Sequence, residues 1–203
     1  MAAPPLATVL YEDQQGPNNQ FGLHKFVMRC LCDQCAVAPE NEYKVHGAVS
    51  SRQLKGDSKV LNALWNDLPN IAGSSESVIA VLDNDRIRDA LGLSSQASDD
   101  EVYQTIRDRC AGPVQLVLLK ENTESILLAA KECDGIATND NATYELAVFR
   151  KELPARDIIF TKLSKRDAKA IRDCIRDKIG SLTPLIDRLV ALLNPILGSA
   201  AGS

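Results

Sequence analysis

The feature that most constrains this fold is a set of short, almost wholly apolar segments, each followed by a helical pattern. The clearest are 78–82 (VIAVL) and 114–119 (VQLVLL), and a third, 7–11 (ATVLY), lies near the N-terminus. Because such segments lack a polar face, they are typical of strands that are buried on both faces of a parallel sheet. Alternation of apolar residues over 43–49 predicts one more strand.

Helical patterns separate these segments. Apolar residues of 23–31 recur at helical spacing and fall on one face. Asp57 or Ser58 is predicted to cap a second helix, and Ser98 with Glu101 forms a capping box before a third. A fourth is expected to begin at Asn122 or Thr123. This alternation predicts an α/β fold with a mainly parallel sheet and helices on both faces.

The chain is predicted to form one sheet domain with a helical addition. We expect the α/β domain to span 1–163 and to include a short final strand at 158–160. Residues 164–197 follow helical spacing and are expected to pack on this domain as a C-terminal extension. The small residues of 198–203 (GSAAGS) are typical of a flexible tail.

Acidic residues follow three of the predicted strands. Glu12 ends the first strand, Asp83 and Asp85 end the third, and Glu124 lies one helical turn beyond Lys120 and Glu121 after the fourth. Ligands of parallel α/β sheets bind beyond the carboxyl ends of the strands, so these acids are expected at one edge.

Several carboxylates in one crevice repel each other unless a divalent cation neutralises them. Oxygen donors of this kind suit Mg²⁺ or Mn²⁺. Such a site can polarise a phosphate and stabilise a leaving oxygen, which is the chemistry of metal-assisted phosphodiester cleavage.

The segments ATVLYE (7–12) and VIAVLDND (78–85) together resemble the TOPRIM domain of topoisomerases, primases and nucleases of the overcoming-lysogenization-defect type. The family has a Glu after its first strand and an Asp-x-Asp after a later one, and the resemblance covers about residues 7–130. It implies a Rossmann-like fold and a Mg²⁺-dependent nuclease.

By this resemblance each acid acquires an expected role. Glu12 serves as acid/base or metal ligand, Asp83 and Asp85 bind the metal, and Glu124 is a further ligand with Glu121 as its alternative. Lys120 is a candidate for stabilising charge in the transition state.

The resemblance also implies partners. Small TOPRIM nucleases often accompany a separate ATPase, in antiviral defence or in mobile elements. This chain has no G-x-x-x-x-G-K-[ST] loop of its own, so ATP use is expected in the partner.

Two other functions remain open. A strand-end Asp-x-Asp is also the nucleophile motif of phosphatases of the haloacid-dehalogenase kind, in which Asp83 would form a phospho-intermediate. Alternatively, Asp83 and Asp85 simply cap the following helix, and the chain is a non-catalytic domain that binds a protein.

A basic stripe is the candidate nucleic-acid surface. The chain has 23 Lys and Arg against 27 Asp and Glu, which excludes a polybasic protein. Residues 151–180, however, carry nine basic and five acidic residues. Within them Lys165, Lys169, Arg172 and Arg176 fall along one helical stripe that can track a phosphate backbone, or that forms an ordinary solvated face.

The apolar segment 182–197 favours either a homodimer surface or a cover for the sheet. No apolar run is long enough to span a membrane, and residues 1–6 lack a signal-peptide pattern. We therefore expect a cytoplasmic protein with its six Cys reduced.

Three of these Cys form a cluster in the sequence. Cys30, Cys32 and Cys35 are spaced like part of a metal knuckle, but no second Cys pair or His pair follows at zinc spacing. This favours buried structural thiols. His24 and His46 are expected at the surface.

Overall fold

The computed structural model describes residues 4–12, 22–54, 56–84, 86–120, 123–135 and 141–198. Within them the chain forms an all-parallel sheet of four strands in the order β2-β1-β3-β4. The strands are β1 (Ala7–Tyr11), β2 (Val49–Gln53), β3 (Ser77–Asp83) and β4 (Gln115–Leu119).

Helices dominate the rest of the described chain and fall into four groups by position. Between β1 and β2 lie α1 (Leu23–Gln34) and α2 (Glu42–Ala48); between β2 and β3 lie α3 (Asp57–Asn66) and α4 (Leu68–Ala72). Between β3 and β4 lie α5 (Ile87–Leu91) and α6 (Asp99–Arg107). After β4 come α7 (Thr123–Asp134), α8 (Asn141–Val148), α9 (Leu153–Leu163), α10 (Lys169–Lys178) and α11 (Thr183–Gly198).

The sheet separates two apolar cores, as strands buried on both faces require. Val9 of β1 and Val81 of β3 belong to the core shared with α1, α2 and α7–α11, which we call the first core. Leu10 and Leu82 belong to the core shared with α3–α6. Because neighbouring residues of a strand point to opposite faces, each run of apolar residues supplies both cores. The predicted α/β fold with helices on both faces is confirmed.

The connections reverse direction between β1 and β3. From β1 the chain crosses the face of the sheet that carries the first core and reaches β2 on one side of β1. From β3 it crosses the opposite face and reaches β4 on the other side of the sheet. Such a topological switch point leaves a crevice at the carboxyl ends of the two central strands. We call the edge at which the strands end the carboxyl edge.

Two predicted strands are wrong. Residues 43–49 are mostly helix α2, and strand β2 begins only at Val49. Residues 158–160 lie within α9, with Ile159 and Phe160 buried and Ile158 exposed. In both segments β-branched residues favour a strand, but packing of a helical face on the first core outweighs that preference.

The predicted helix starts are confirmed in part. Gly56 is the N-cap of α3, so the cap expected at Asp57 or Ser58 is wrong by one position or two. Ser98 accepts from the backbone amide of Glu101, whose carboxylate accepts from the amide of Ser98, so the predicted capping box is confirmed. The helix expected at Asn122 or Thr123 begins at Thr123.

The helices that follow residue 163 pack on the first core. Helix α10 contacts α7 and α1, and α11 contacts α1. Leu185, Ile186 and Leu189 of α11 are fully buried there, so these apolar residues already serve as part of the cover. The predicted tail at 198–203 lies outside the described residues apart from the helix end at Gly198.

Not all the thiols are reduced, contrary to the prediction. Cys133 of α7 and Cys174 of α10 form a disulfide with a sequence separation of 41 residues. Cys30 and Cys32 are free and buried, as expected of structural thiols, whereas Cys35 and Cys110 are free and half-buried. The bond ties the C-terminal helices to the helix that follows β4.

Among the described helices none is by itself long and apolar enough to cross a membrane. The pair Arg166–Lys178 and Gly180–Leu197 meets the criteria of length and composition only when joined, and it bends by 98° between its halves.

Candidate metal site at the carboxyl edge

The switch point brings together two acids that lie 71 positions apart in the chain. The backbone amide of Asp83, the last residue of β3, donates to Oε2 of Glu12 at 3.2 Å. Glu12 directly follows β1, which pairs in parallel with β3. Both side chains are half-buried. Glu12 and Asp83 are therefore neighbours through the backbone of Asp83, and their sharing of one metal stays a prediction.

The backbone around this contact is fixed on both sides. The amides of Leu54 and Gly56 donate to the carbonyls of Tyr11 and Glu12 at 2.8 and 3.2 Å. On the other side the amide of Asn84 donates to the carbonyl of Leu119 at 2.9 Å. Backbone hydrogen bonds at the edge of the sheet therefore fix the main chain of the two residues that carry these carboxylates.

Arg88 braces the loop that follows Asp83. Its guanidinium donates to Oδ1 of Asn84 at 2.6 Å and to the carbonyl of Ala97 at 2.7 Å. It also forms an ion pair with Asp99 at 2.7 Å. Because these contacts occupy its guanidinium, Arg88 positions the turn and does not offer a free charge to a ligand.

The contact between Glu12 and Asp83 does not test the other site residues predicted at this edge. Asp85, like the alternative ligand Glu121, lies outside the described residues. Lys120 follows β4 directly and is exposed. Asp85 and Lys120 therefore stay predictions.

Glu124 is held by cations of the C-terminal half. Its Oε1 accepts from Arg156 at 2.6 Å and lies 3.3 Å from the ammonium of Lys151. Burial opposes ionisation of Glu124, but its own backbone amide and Arg156 hold the pKa of the carboxyl below its usual value. This arrangement favours a structural ion pair, and the ligand role remains a prediction.

A third acid, Asp57, lies at the same edge. From the sequence it was considered only as a helix cap and not as a site residue. Asp57 begins α3 and is only 6% exposed. It follows Gly56, whose amide binds the carbonyl of Glu12. Placing the second strand at 43–49 put Asp57 eight residues beyond its end. With β2 ending at Gln53, the strand-end rule selects it.

His24, which was expected at the surface, is half-buried near this edge. It belongs to the first turn of α1, which follows β1, and its ring centroid is 6.3 Å from that of Tyr11. Burial, followed by the charge of Lys25, lowers the pKa of His24 to about 4. Its imidazole is therefore neutral at pH 7 and is a weak proton acceptor.

The predicted basic stripe is wrong at Arg172. This side chain is 1% exposed, with Nε donating to Asp33 at 2.7 Å and Nη1 to the carbonyl of Leu163 at 2.6 Å. A single buried cation of this kind needs several acceptors, which Asp33 and the carbonyls supply. It fixes α10 on α1 and is not available to a phosphate.

The other three stripe residues reach solvent to different degrees. Lys169 pairs with Asp173, which also lies 3.7 Å from Arg176. Lys165 is exposed, and no ion pair joins it to the described residues. Their role in binding nucleic acid remains a prediction.

Comparison with known proteins adds no identification: no family model, curated protein or solved structure matches this chain. The resemblance to TOPRIM domains therefore rests on the two sequence motifs alone.

Proposed function

We propose that this chain is a Mg²⁺-dependent nuclease that hydrolyses phosphodiester bonds in DNA or RNA. The observation that carries the proposal is the contact between Glu12 and Asp83 at the switch point of the sheet. The carboxylate of Glu12 contacts the backbone of Asp83 at the edge where parallel α/β sheets bind ligands.

The donor chemistry fits a hard divalent cation. Glu12, Asp57 and Asp83 are all carboxylates, and no ion pair joins Glu12 to a cation of the described chain. Mg²⁺ or Mn²⁺ bound there would stabilise the charge that develops on the phosphate and the leaving oxygen. Asp83 is the proposed ligand and Asp85 is the further ligand expected from the sequence. The ion pairs of Glu124 with Arg156 and Lys151 favour a structural role for that residue over the ligand role expected from the sequence.

The proton transfers fall to groups beside this ligand. Glu12 is the proposed acid/base, since its carboxylate touches the backbone of Asp83. His24 lies near the same strand, but its lowered pKa makes its imidazole a weak proton acceptor, so Glu12 is preferred. Lys120 is retained as a cation that approaches the transition state once substrate binds.

The setting is part of the same proposal. We assign the chain to the cytoplasm, with a separate ATPase as partner in a defence or mobile-element system. A disulfide between Cys133 and Cys174 is unusual for that compartment, so its redox state in cells bears directly on the assignment. Because one face of α11 is buried in the first core, a homodimer through this helix would have to use its remaining, exposed residues.

Cleavage of supercoiled plasmid and of single-stranded RNA tests the proposal. The full chain is incubated with Mg²⁺, Mn²⁺ or EDTA, and products are resolved on gels. Glu12→Gln and Asp83→Asn should each lower metal-dependent cleavage about 100-fold. Glu76→Gln is the matched control, because this exposed acid precedes β3 at the opposite end of the same strand.

The other two functions give different results. Phosphate release from p-nitrophenyl phosphate that is lost in Asp83→Asn but kept in Glu12→Gln would replace the nuclease by a phosphatase. Absence of all cleavage, with no change of melting temperature on adding Mg²⁺, would leave a non-catalytic interaction domain.

A further inference from the structure

A second group of metal-binding side chains lies between α1 and α2. Sγ of Cys32, a carboxylate oxygen of Glu42 and a ring nitrogen of His46 all lie within 4.8 Å of one another. Cys32 is buried, Glu42 is half-buried and His46 is exposed. One thiol, one imidazole and one carboxylate therefore meet at a point that is shielded on one side and open to solvent on the other.

The local sequence explains this geometry. Cys32 lies in the last turn of α1, and Glu42 begins α2. His46 follows Glu42 by four positions, so both side chains share one face of α2. The sequence analysis did not find this group because Cys32 is followed by a Glu-x-x-x-His pattern and not by a second Cys pair or a His pair.

The charges around Glu42 leave one of its oxygens available. Arg29 and Arg166 both donate to Oε1, at 2.8 and 3.1 Å. Neither guanidinium binds Oε2, and no other described donor does. Burial acts to raise the pKa of Glu42, but these two arginines lower it below the usual value, so the carboxylate is ionised.

We propose that Cys32, Glu42 and His46 bind a Zn²⁺ ion. A thiolate with an imidazole and a carboxylate is a donor set for a borderline-soft metal, not for Mg²⁺. Bonds to zinc of about 2.0–2.3 Å would require the three donor atoms to approach by roughly 1 Å. His46 is exposed on the short helix α2, so its side chain can make that adjustment.

Cys35 is free but is not one of the three donors that lie within 4.8 Å of one another. It caps the C-terminus of α1, one helical turn after Cys32, and the two thiols interact electrostatically. Burial, partly offset by Arg29, raises the pKa of Cys32 to about 11. Binding of the metal therefore transfers the proton of this thiol to solvent.

The proposed zinc site is separate from the carboxyl edge. Helix α1 follows β1 and runs back along the sheet, so its C-terminal turn lies towards the edge at which the strands begin. Helix α2 leads into β2, and the carbonyl of Ala48 accepts from the amide of Leu6 at 2.8 Å just before β1. A metal there would lock α1 to α2 at the beginning of the sheet, whatever reaction the other edge catalyses.

Cobalt absorption spectroscopy tests this inference on the full chain with its disulfide intact. Co²⁺ is titrated into metal-free protein without added thiol, and thiolate-to-cobalt charge transfer is followed in the near ultraviolet. We expect one equivalent to bind and Zn²⁺ to displace it. Cys32→Ser should abolish the band, and His46→Ala should weaken Co²⁺ binding by at least about tenfold.

The controls separate this site from other thiols and from the proposed nuclease. Cys110→Ser changes a free, half-buried thiol that packs against the other core and should leave the band unchanged. Asp83→Asn should do the same. His46→Ala alters an exposed residue, so its binding loss is measurable even if Cys32→Ser does not fold. No charge-transfer band in the wild type, or a band that persists in Cys32→Ser, overturns the proposal.

Discussion

Glu12 at the carboxyl edge and the acids of the helices that cover the first core have different electrostatic environments. Among the helices, Glu124 is paired with Arg156, Asp33 with Arg172 and Asp134 with Lys162. At the edge, the described partner of the Glu12 carboxylate is a backbone amide.

This difference distinguishes acids that hold the fold from acids that are available for chemistry. A carboxylate neutralised by a neighbouring guanidinium contributes to stability, and removing either partner leaves a buried charge. A carboxylate without such a cation at a crevice can instead accept a metal or a proton. The same residue types therefore have different roles according to the charges that the fold places beside them.

The largest expected effect is on stability, at Arg172. Arg172→Met removes the buried guanidinium and leaves the carboxylate of Asp33 without its closest cation. We expect the free energy of unfolding to fall by about 3 kcal/mol in urea titrations, since Arg29 still lies 3.8 Å from Asp33.

Adding Asp33→Asn to Arg172→Met should recover part of that loss, because the uncompensated charge is then gone. Unchanged stability together with weaker nucleic-acid binding would restore Arg172 to the basic stripe.

The disulfide is expected to contribute nearly as much. Closing a loop of 41 residues restricts the unfolded chain, so Cys133→Ser should lower the free energy of unfolding by about 2–4 kcal/mol under non-reducing conditions. The denatured, unreduced wild type should show four reactive thiols of the six Cys. Six reactive thiols would show that the bond is absent.

Exchanging one charge in each region tests the comparison directly. Glu12→Gln keeps an oxygen that can accept from Asp83, so it should lower cleavage about 100-fold while changing the free energy of unfolding by less than about 0.5 kcal/mol. Glu124→Gln breaks the pair with Arg156 and should cost about 1–2 kcal/mol of stability.

For Glu124→Gln we expect the cleavage rate per folded molecule to stay within about threefold of the wild type. A loss of activity as large as that of Glu12→Gln would return Glu124 to the metal ligands.

The smallest effect concerns the pH dependence of stability. The pKa of His24 is about 4 in the folded chain and 6.5 in the reference state, so the unfolded state binds its proton first as the pH falls. The free energy of unfolding should therefore decrease from pH 6.5 to pH 4, by about 2 kcal/mol after allowance for partial exposure.

His24→Asn removes that group and should flatten the profile over the same window in parallel denaturant titrations. A profile identical to that of the wild type would show that the imidazole titrates normally.

Sequence patterns predicted three strands of the sheet, β1, β3 and β4, but not the position of β2. The strands at 7–11, 77–83 and 115–119 are apolar at nearly every position, which favours buried parallel strands. The shorter apolar run at 158–160 is helical, so length is part of this signal. Strand β2 has the sequence VSSRQ at the edge of the sheet and lacks that pattern, so its position was missed. Because of this error, Asp57 was not included in the predicted site.

The basic stripe failed for a related reason. Helical spacing places Arg172 beside Lys169 and Arg176, but spacing does not reveal which side of α10 packs on α1. Only the packed structure shows that Asp33, 139 positions away, receives that guanidinium. The same holds for the disulfide, since Cys133 and Cys174 have no local signature.

The sequence by itself determined the class of fold and the acids that end two central strands, because apolar periodicity and strand-end position are local properties. The tertiary structure alone decided which charges are neutralised, which thiols meet and which edge residues join Glu12 and Asp83. Those outcomes depend on distances between segments far apart in the chain, and such distances are set by the packing of helices on both faces of the sheet.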